Sequence, residues 1–265
     1  MRKLIGITVS LVMLAGVVLG QDTGKKPEKN KDEGKKTAVE KMTDPVEILK
    51  KADAACQAVK AVKMELTVEG DEAVAKIFPK IQASVIATDA ERAGNYPTIK
   101  KYLTDLKYTR PNESEPKHIT AGSDGENFFL IDHASKKAHV DIDPAVLGSA
   151  GRLLQYATMI EFLIDQPFND EINGKEQKLL GTKTIEGEEC YEIHVVYAAG
   201  SEATWYFSTK DFLPRCRVDI TPLQDGTTGK LIKTIKKVDP NPKIDENTFK
   251  LKLPEGYTQT EDFAP

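Results

Sequence analysis

Several things are scarce in this chain. There are three cysteines, one tryptophan and four histidines in 265 residues, and aromatic residues make up 7%. No Cys-x-x-Cys pair occurs, so a dithiol redox centre is not expected. Neither a phosphate loop nor a dinucleotide fingerprint is present. A nucleophile elbow is also missing, because Gly148-Ser149-Ala150-Gly151 has the wrong spacing. Positive charge is not in excess: 37 basic residues face 41 acidic ones, a net of −4, with the acidic surplus beyond residue 45. A nucleic-acid binder needs a concentrated basic surface, so no nucleic-acid partner is expected. These absences leave no catalytic constellation, and the reading is a non-enzymatic protein that needs no cofactor.

What is present begins with an address. Met1-Arg2-Lys3 is a basic start, and Leu4–Leu19 is an apolar run shorter than the ~20 residues of a membrane span. Residues 1–20 read as a signal peptide cleaved before Gln21, with no span in the mature chain. Leu14-Ala15-Gly16 is followed by Val17 instead of Cys, so no lipoprotein anchor is expected. The protein is therefore placed in the periplasm or outside the cell. Residues 21–44 alternate Lys, Glu, Asp, Gly and Asn with almost no apolar residue. Such a stretch buries too little to offset its ordering entropy and reads as a disordered charged linker. Residues 45–265 are then one domain.

Asp44-Pro45-Val46-Glu47 is a helix start, with a capping carboxylate, Pro at the first helical position and Glu at capping-box spacing. Val46, Leu49, Ala52, Cys56 and Val59 recur on one face, which predicts a helix over 45–60. The period then becomes two. Val62, Met64, Leu66 and Val68 alternate with polar residues, and so do Tyr102–Tyr108, Ala138–Ile142, Tyr191–Tyr197, Ala203–Phe207, Cys216–Ile220 and Phe249–Leu253. Residues 128–131, Phe-Phe-Leu-Ile, are apolar on both faces and predict a central strand covered on both sides. Turn residues between the runs predict antiparallel meanders. Residues 146–164 are apolar on more than one face and predict a buried helix or a lid. The fold class is α+β: a curved antiparallel half-barrel of roughly ten strands, with helices packed on the concave face.

Gly181–Tyr191, Trp205-Tyr206-Phe207 with Leu213-Pro214-Arg215, and Ile244–Phe249 with Pro254-Glu255-Gly256-Tyr257 carry a resemblance. The chain resembles the outer-membrane lipoprotein carrier (LolA-like) family, and within it a group of exported bacterial proteins of unknown function. The resemblance implies a half-barrel whose apolar cavity is closed by helices and, in the carrier, holds acyl chains. It also implies a functional Arg on an early strand that controls the lid. Here this sequence departs: residues 61–88 offer Lys63, Lys76 and Lys80, and no Arg.

The expected function is an exported carrier-like protein that binds a lipid or acyl chain. Leu66, Phe129, Leu154, Met159, Phe162, Ile193, Trp205 and Phe207 are the candidate cavity lining. The alternative is a periplasmic regulatory or scaffolding module that binds a protein partner at the cell envelope through a sheet edge and takes no ligand. Cys190 and Cys216 form a disulfide only if the strands curl or the order departs from a simple meander, because next-nearest strands lie about 10 Å apart. Cys56 reads as a buried free thiol. Asp132, His133, His139 and Asp141 crowd one hairpin, but Asp132 and His133 are successive residues pointing to opposite faces, so no metal site is expected.

Overall fold

The computed structural model describes residues 42–91 and 98–264. The expectations for residues 1–20 and for nearly all of 21–44 lie outside the described residues.

The sequence enters the fold through helix α1 (Pro45–Gln57). The Asp44 carboxylate accepts from the amides of Val46 and Glu47 at 2.9 and 3.4 Å, filling two of the donors that a helix start leaves open. Ile48, Leu49, Ala52 and Cys56 form its buried stripe. The helix ends three residues earlier than its apolar period predicts.

Twelve strands follow among the described residues, against an expectation of roughly ten. β1 (Ala61–Gly70), β2 (Lys80–Glu91), β3 (Thr98–Thr109), β4 (Lys117–Ser123), β5 (Phe128–Asp132) and β6 (Lys137–Asp141) make one antiparallel meander. β7 (Glu176–Ile185), β8 (Glu188–Val196), β9 (Glu202–Ser208), β10 (Pro214–Pro222) and β11 (Thr228–Pro240) make a second. Pairing of β1 with β11 joins the two into one curled sheet. β12 (Thr258–Thr260) adds to β6 in parallel and closes one end of the order, and β7 forms the other end.

The crossover from β6 to β7 holds the remaining helices, α2 (Ala150–Tyr156) and α3 (Asn169–Ile172), with single 3-10 turns at Pro144–Leu147 and Ile160–Phe162. The single helix expected over 146–164 is thus broken. Gly148 (φ +52°) and the extended backbone of Met159 interrupt it. Gly148 has a second reason to be glycine: a Cβ there would run into the Ala264 carbonyl, and the Ala264 amide already donates to Val146 O at 2.9 Å.

The main core lies between one face of the sheet, here the inner face, and α1 with the crossover. Alternation delivers it: Val62, Met64, Leu66 and Val68 are fully buried on β1. Two smaller clusters lie on the outer face. Phe129, Ile131 and Ala138 are covered by Leu251 and Tyr257 of the C-terminal segment. Cys190, Tyr206 and Cys216 pack with Val218 and Ile232. β5 is therefore covered on both sides as expected, but it stands third from one end of the sheet and is not central. Two further expectations change. Phe249–Leu253 forms no strand, and Ile142 is exposed.

Candidate functional site

Cross-strand register builds an unusual row on the inner face. Ile193 of β8 lies opposite Trp205 of β9, Trp205 opposite Arg217 of β10, and Arg217 opposite Lys233 of β11. Two cations therefore stand in a row with core residues, directly below the crossover. β10 can present Arg217 because its apolar set, Cys216 and Val218, faces the outer cluster. The alternation of β10 is real, but its charged side is the inward one.

Most polar groups in this region find a partner on the crossover or the sheet. The Arg217 guanidinium donates to Glu161 Oε1 at 3.2 Å and to Asp219 Oδ1 at 2.7 Å, and lies 4.8 Å from the Trp205 ring centroid. Lys233 Nζ donates to the Thr158 carbonyl at 2.7 Å. The Trp205 indole donates to the Tyr197 hydroxyl at 3.2 Å, and that hydroxyl donates to Glu171 Oε1 at 2.7 Å. Glu161 and Glu171 are both buried, and the second oxygen of Glu161 has no partner. Farther out, the Phe168 amide donates to Asp53 Oδ1 at 3.0 Å and ties the crossover to α1. Gln177 gathers the carbonyls of Glu171, Ile172 and Gly174 where the crossover feeds β7.

Burial shapes the proton affinities here. It raises the Glu171 carboxyl to about 7, aided by the charge of Glu161 and opposed by the Tyr197 hydrogen bond. Burial lowers Lys233, with Glu161 pulling the other way. For Arg217 burial works against the charge, but Glu161 and Asp219 outweigh it, and the guanidinium stays firmly protonated. Buried ion pairs of this kind seldom contribute much net stability, because desolvation offsets the attraction. Groups with shifted proton affinities collect beneath the crossover, which makes this the candidate site.

Apolar residues surround this polar cluster. Leu66, Leu154, Met159, Phe162, Ile193, Trp205 and Phe207 all belong to the main core. Phe168 of the crossover meets Trp205 and Phe207 edge-on at 5.1 and 5.0 Å, and these two rings stack at 5.8 Å. The structure thus brings seven of the eight candidate lining residues into one contiguous cluster. Phe129 is the exception: it packs on the outer face. Arg217, Lys233, Glu161, Glu171 and Tyr197 were missed by sequence reasoning. The readable signal was the charged alternate set of β10, Arg217 and Asp219, opposite an apolar set that had its own place to go.

Cys190 and Cys216 are free thiols, and all three cysteines are buried. The first two sit on β8 and β10 with β9 between, the simple meander order whose spacing is too wide to bridge. Burial raises both to about 11. Asp132 pairs with Lys137 and not with His139, and its carboxylate accepts from the Ala134 amide and the Ser135 hydroxyl. His139 Nδ1 is instead 2.7 Å from the Asp262 carbonyl. A polar cleft of about 120 Å³, lined by Glu186, Glu188, Arg215 and Lys236 among others, lies away from the crossover and is too small for an acyl chain.

The profile of a protein family described as predicted periplasmic protein (DUF2092) matches residues 107–261, more than half of the chain. The chain belongs to this family. No curated protein matches it in sequence. Among solved structures it is similar to LprF from Mycobacterium bovis, at 10% identity and a TM-score of 0.46, covering 82% of this chain and 99% of that one. It is also similar to MucB, at 9% identity and a TM-score of 0.45, covering 79% of this chain and 63% of that one. This chain thus spans less than two thirds of MucB. A third likeness is to a LolA superfamily protein from Nitrosomonas europaea, at 11% identity and a TM-score of 0.30, covering 80% and 99%. Among the described residues, no helix is long and apolar enough to cross a membrane.

Proposed function

We propose that this chain is an exported, non-enzymatic binding protein of the periplasm that takes a lipid or acyl chain between its sheet and its crossover segment. In this reading residues 1–20 are a cleaved leader, 21–44 a tether and 45–265 the binding domain. One observation carries the proposal. The crossover turns Met159, Phe162 and Phe168 onto the inner sheet face, while Lys233, Arg217 and Tyr197 hold it by polar contacts. Polar contacts can be exchanged for water when a segment lifts, and apolar side chains can be exchanged for an apolar ligand at roughly 0.8 kcal/mol per methylene removed from water. The segment then serves as a lid. Leu66, Ile193, Trp205 and Phe207 supply the facing wall, and Leu154 of α2 belongs to the lid. Phe129 has no part in it.

The test is uptake of a fluorescent fatty acid by the wild type and by Phe162→Asp. The reading expects saturable uptake by the wild type, and loss of uptake with near-normal sheet circular dichroism in the variant. No uptake by the wild type would overturn it.

A second reading has its own observation. β7 ends the sheet as an unpaired edge, most of its residues are exposed, and Leu180 is half exposed. An extended segment of a partner protein can add to such an edge. A stoichiometric partner recovered without lipid, and lost when Leu180 is replaced by Lys, would favour this reading.

A further inference from the structure

The outer face carries a cluster that neither reading uses. Asp105 of β3, His118 of β4 and His133 just after β5 each place one ligating atom, and the three atoms lie within 4.8 Å of one another. The fold makes this juxtaposition. Asp105 pairs with Thr120, two residues along β4 from His118, so Asp105, His118 and Thr120 share one face. The amide of His133 donates to the His118 carbonyl at 3.3 Å, which brings the turn after β5 alongside β4.

The contacts among these side chains are polar and convergent. His118 Nε2 lies 2.8 Å from Asp105 Oδ2. The Thr120 hydroxyl lies 3.2 Å from the same oxygen and 3.0 Å from His133 Nε2. The two imidazoles stack with centroids 3.9 Å apart and planes 11° apart. Two protonated rings at that distance repel. His133 Nδ1 lies 3.1 Å from the Tyr257 hydroxyl. With Nδ1–H donating to that oxygen, the lone pair resides on Nε2, the atom aimed at the cluster.

We propose that Asp105, His118 and His133 form a site for a divalent zinc-class cation, with Tyr257 orienting His133. Two imidazoles and a carboxylate are the donor set that such ions take with three protein ligands and an open fourth position. Donor atoms around tetrahedral zinc stand roughly 3.4 Å apart at the usual bond lengths of about 2.0–2.2 Å. The widest separation must therefore close, the 2.8 Å contact between His118 and Asp105 must open, and the His118 ring must tilt out of the stack. Asp105 is exposed and His118 half-buried, so both side chains have room to move. The bound ion would replace the hydrogen bond between His118 and Asp105, and any proton on His118 would go to solvent. Lys107, opposite His118, is an unfavourable charge nearby and is exposed to water. The ion would link β3, β4 and the turn after β5, and through Tyr257 the C-terminal segment that covers the outer cluster.

The experiment is titration of untagged, exported protein with zinc chloride at about pH 7.5, read by calorimetry and by thermal melting. The expected result is one zinc per chain and a melting midpoint raised by about 5 °C once zinc exceeds the dissociation constant about 100-fold. Asp105→Asn and His133→Ala should each weaken binding by about tenfold or more. His194→Ala, on the second meander, should leave binding unchanged. Asp105→Asn alters an exposed side chain, so its melting point without zinc should match the wild type and separate lost binding from lost folding. Absence of both heat and melting shift would overturn the proposal. So would a shift that survives in Asp105→Asn and His133→Ala, or one that magnesium reproduces.

Discussion

The β1–β6 meander and the β7–β11 meander face the same interior with different chemistry. The first points Val62, Met64, Leu66 and Val68 inward from β1 and Ile81, Ala83, Val85 and Ala87 from β2, an aliphatic wall of small and medium side chains. The second points Trp205, Phe207, Arg217 and Lys233 inward and meets the crossover with rings and charges. An aliphatic wall holds its partner by area alone, which is nondirectional and tolerant of sliding. A wall of rings and hydrogen bonds holds its partner in one register. The second meander thus adds directional contacts to the crossover, while β1 and β2 offer apolar area alone. That asymmetry suits a chamber that keeps a fixed door and takes an apolar content.

The largest break in this comparison should come from Trp205→Ala. The indole is fully buried, packs on Phe168 and Phe207, stacks under Arg217 and donates to Tyr197. Its loss should cost about 3–5 kcal/mol in urea unfolding. Ala83→Gly on the aliphatic wall should cost only about 1 kcal/mol. Equal losses would erase the distinction between the walls.

Next comes Arg217→Met. It strands the buried Glu161 carboxylate and should cost about 3 kcal/mol, whereas the double variant Arg217→Met/Glu161→Leu should recover most of that loss. A double variant as unstable as the single one would show that the pair contributes stability in its own right.

A smaller effect is expected from pH. Glu171 binds its proton more tightly folded (about 7) than unfolded (about 4.5), so its contribution is fully present below pH about 4.5 and is lost as pH rises through about 7. Glu188 and Asp132 are shifted downward and contribute the opposite slope. The comparison of wild type with Glu171→Gln isolates the term. The wild type should lose about 2 kcal/mol relative to the variant between pH 5 and pH 8. Parallel profiles would remove Glu171 as a titrating part of the lid contact.

The smallest effect concerns the outer face. Cys190 and Cys216 are buried with raised pKa values, so iodoacetamide should leave both unmodified in the folded protein at neutral pH and label them only after unfolding.

Much of the fold was legible because alternation survives wherever one face is buried and the other wet. α1, β1, β3, β8 and β9 follow from their periods. β11 did not, since Lys230, Lys233, Lys236 and Lys237 interrupt both of its faces and leave no period of two. β7 is an edge strand with little buried on either side. The crossover read as one helix because apolar residues run through it, while the breaks come from backbone at Gly148 and Met159 that composition does not report. The polar cluster was hidden for a different reason. Glu161, Arg217 and Lys233 lie far apart in sequence, and only strand register brings them together. The lining residues were legible as core. Phe129 was misplaced because a strand apolar on both faces does not say which side is inner.

The central claim is that the interior beneath the crossover accepts an apolar ligand. Native mass spectrometry with organic extraction, on protein exported to a periplasm and purified without detergent, tests it most directly. The account predicts a discrete added mass that extracts as lipid and is lost in Trp205→Ala. A clean apo mass, with no uptake of an added fatty acid, would contradict it and leave the β7 edge as the working surface.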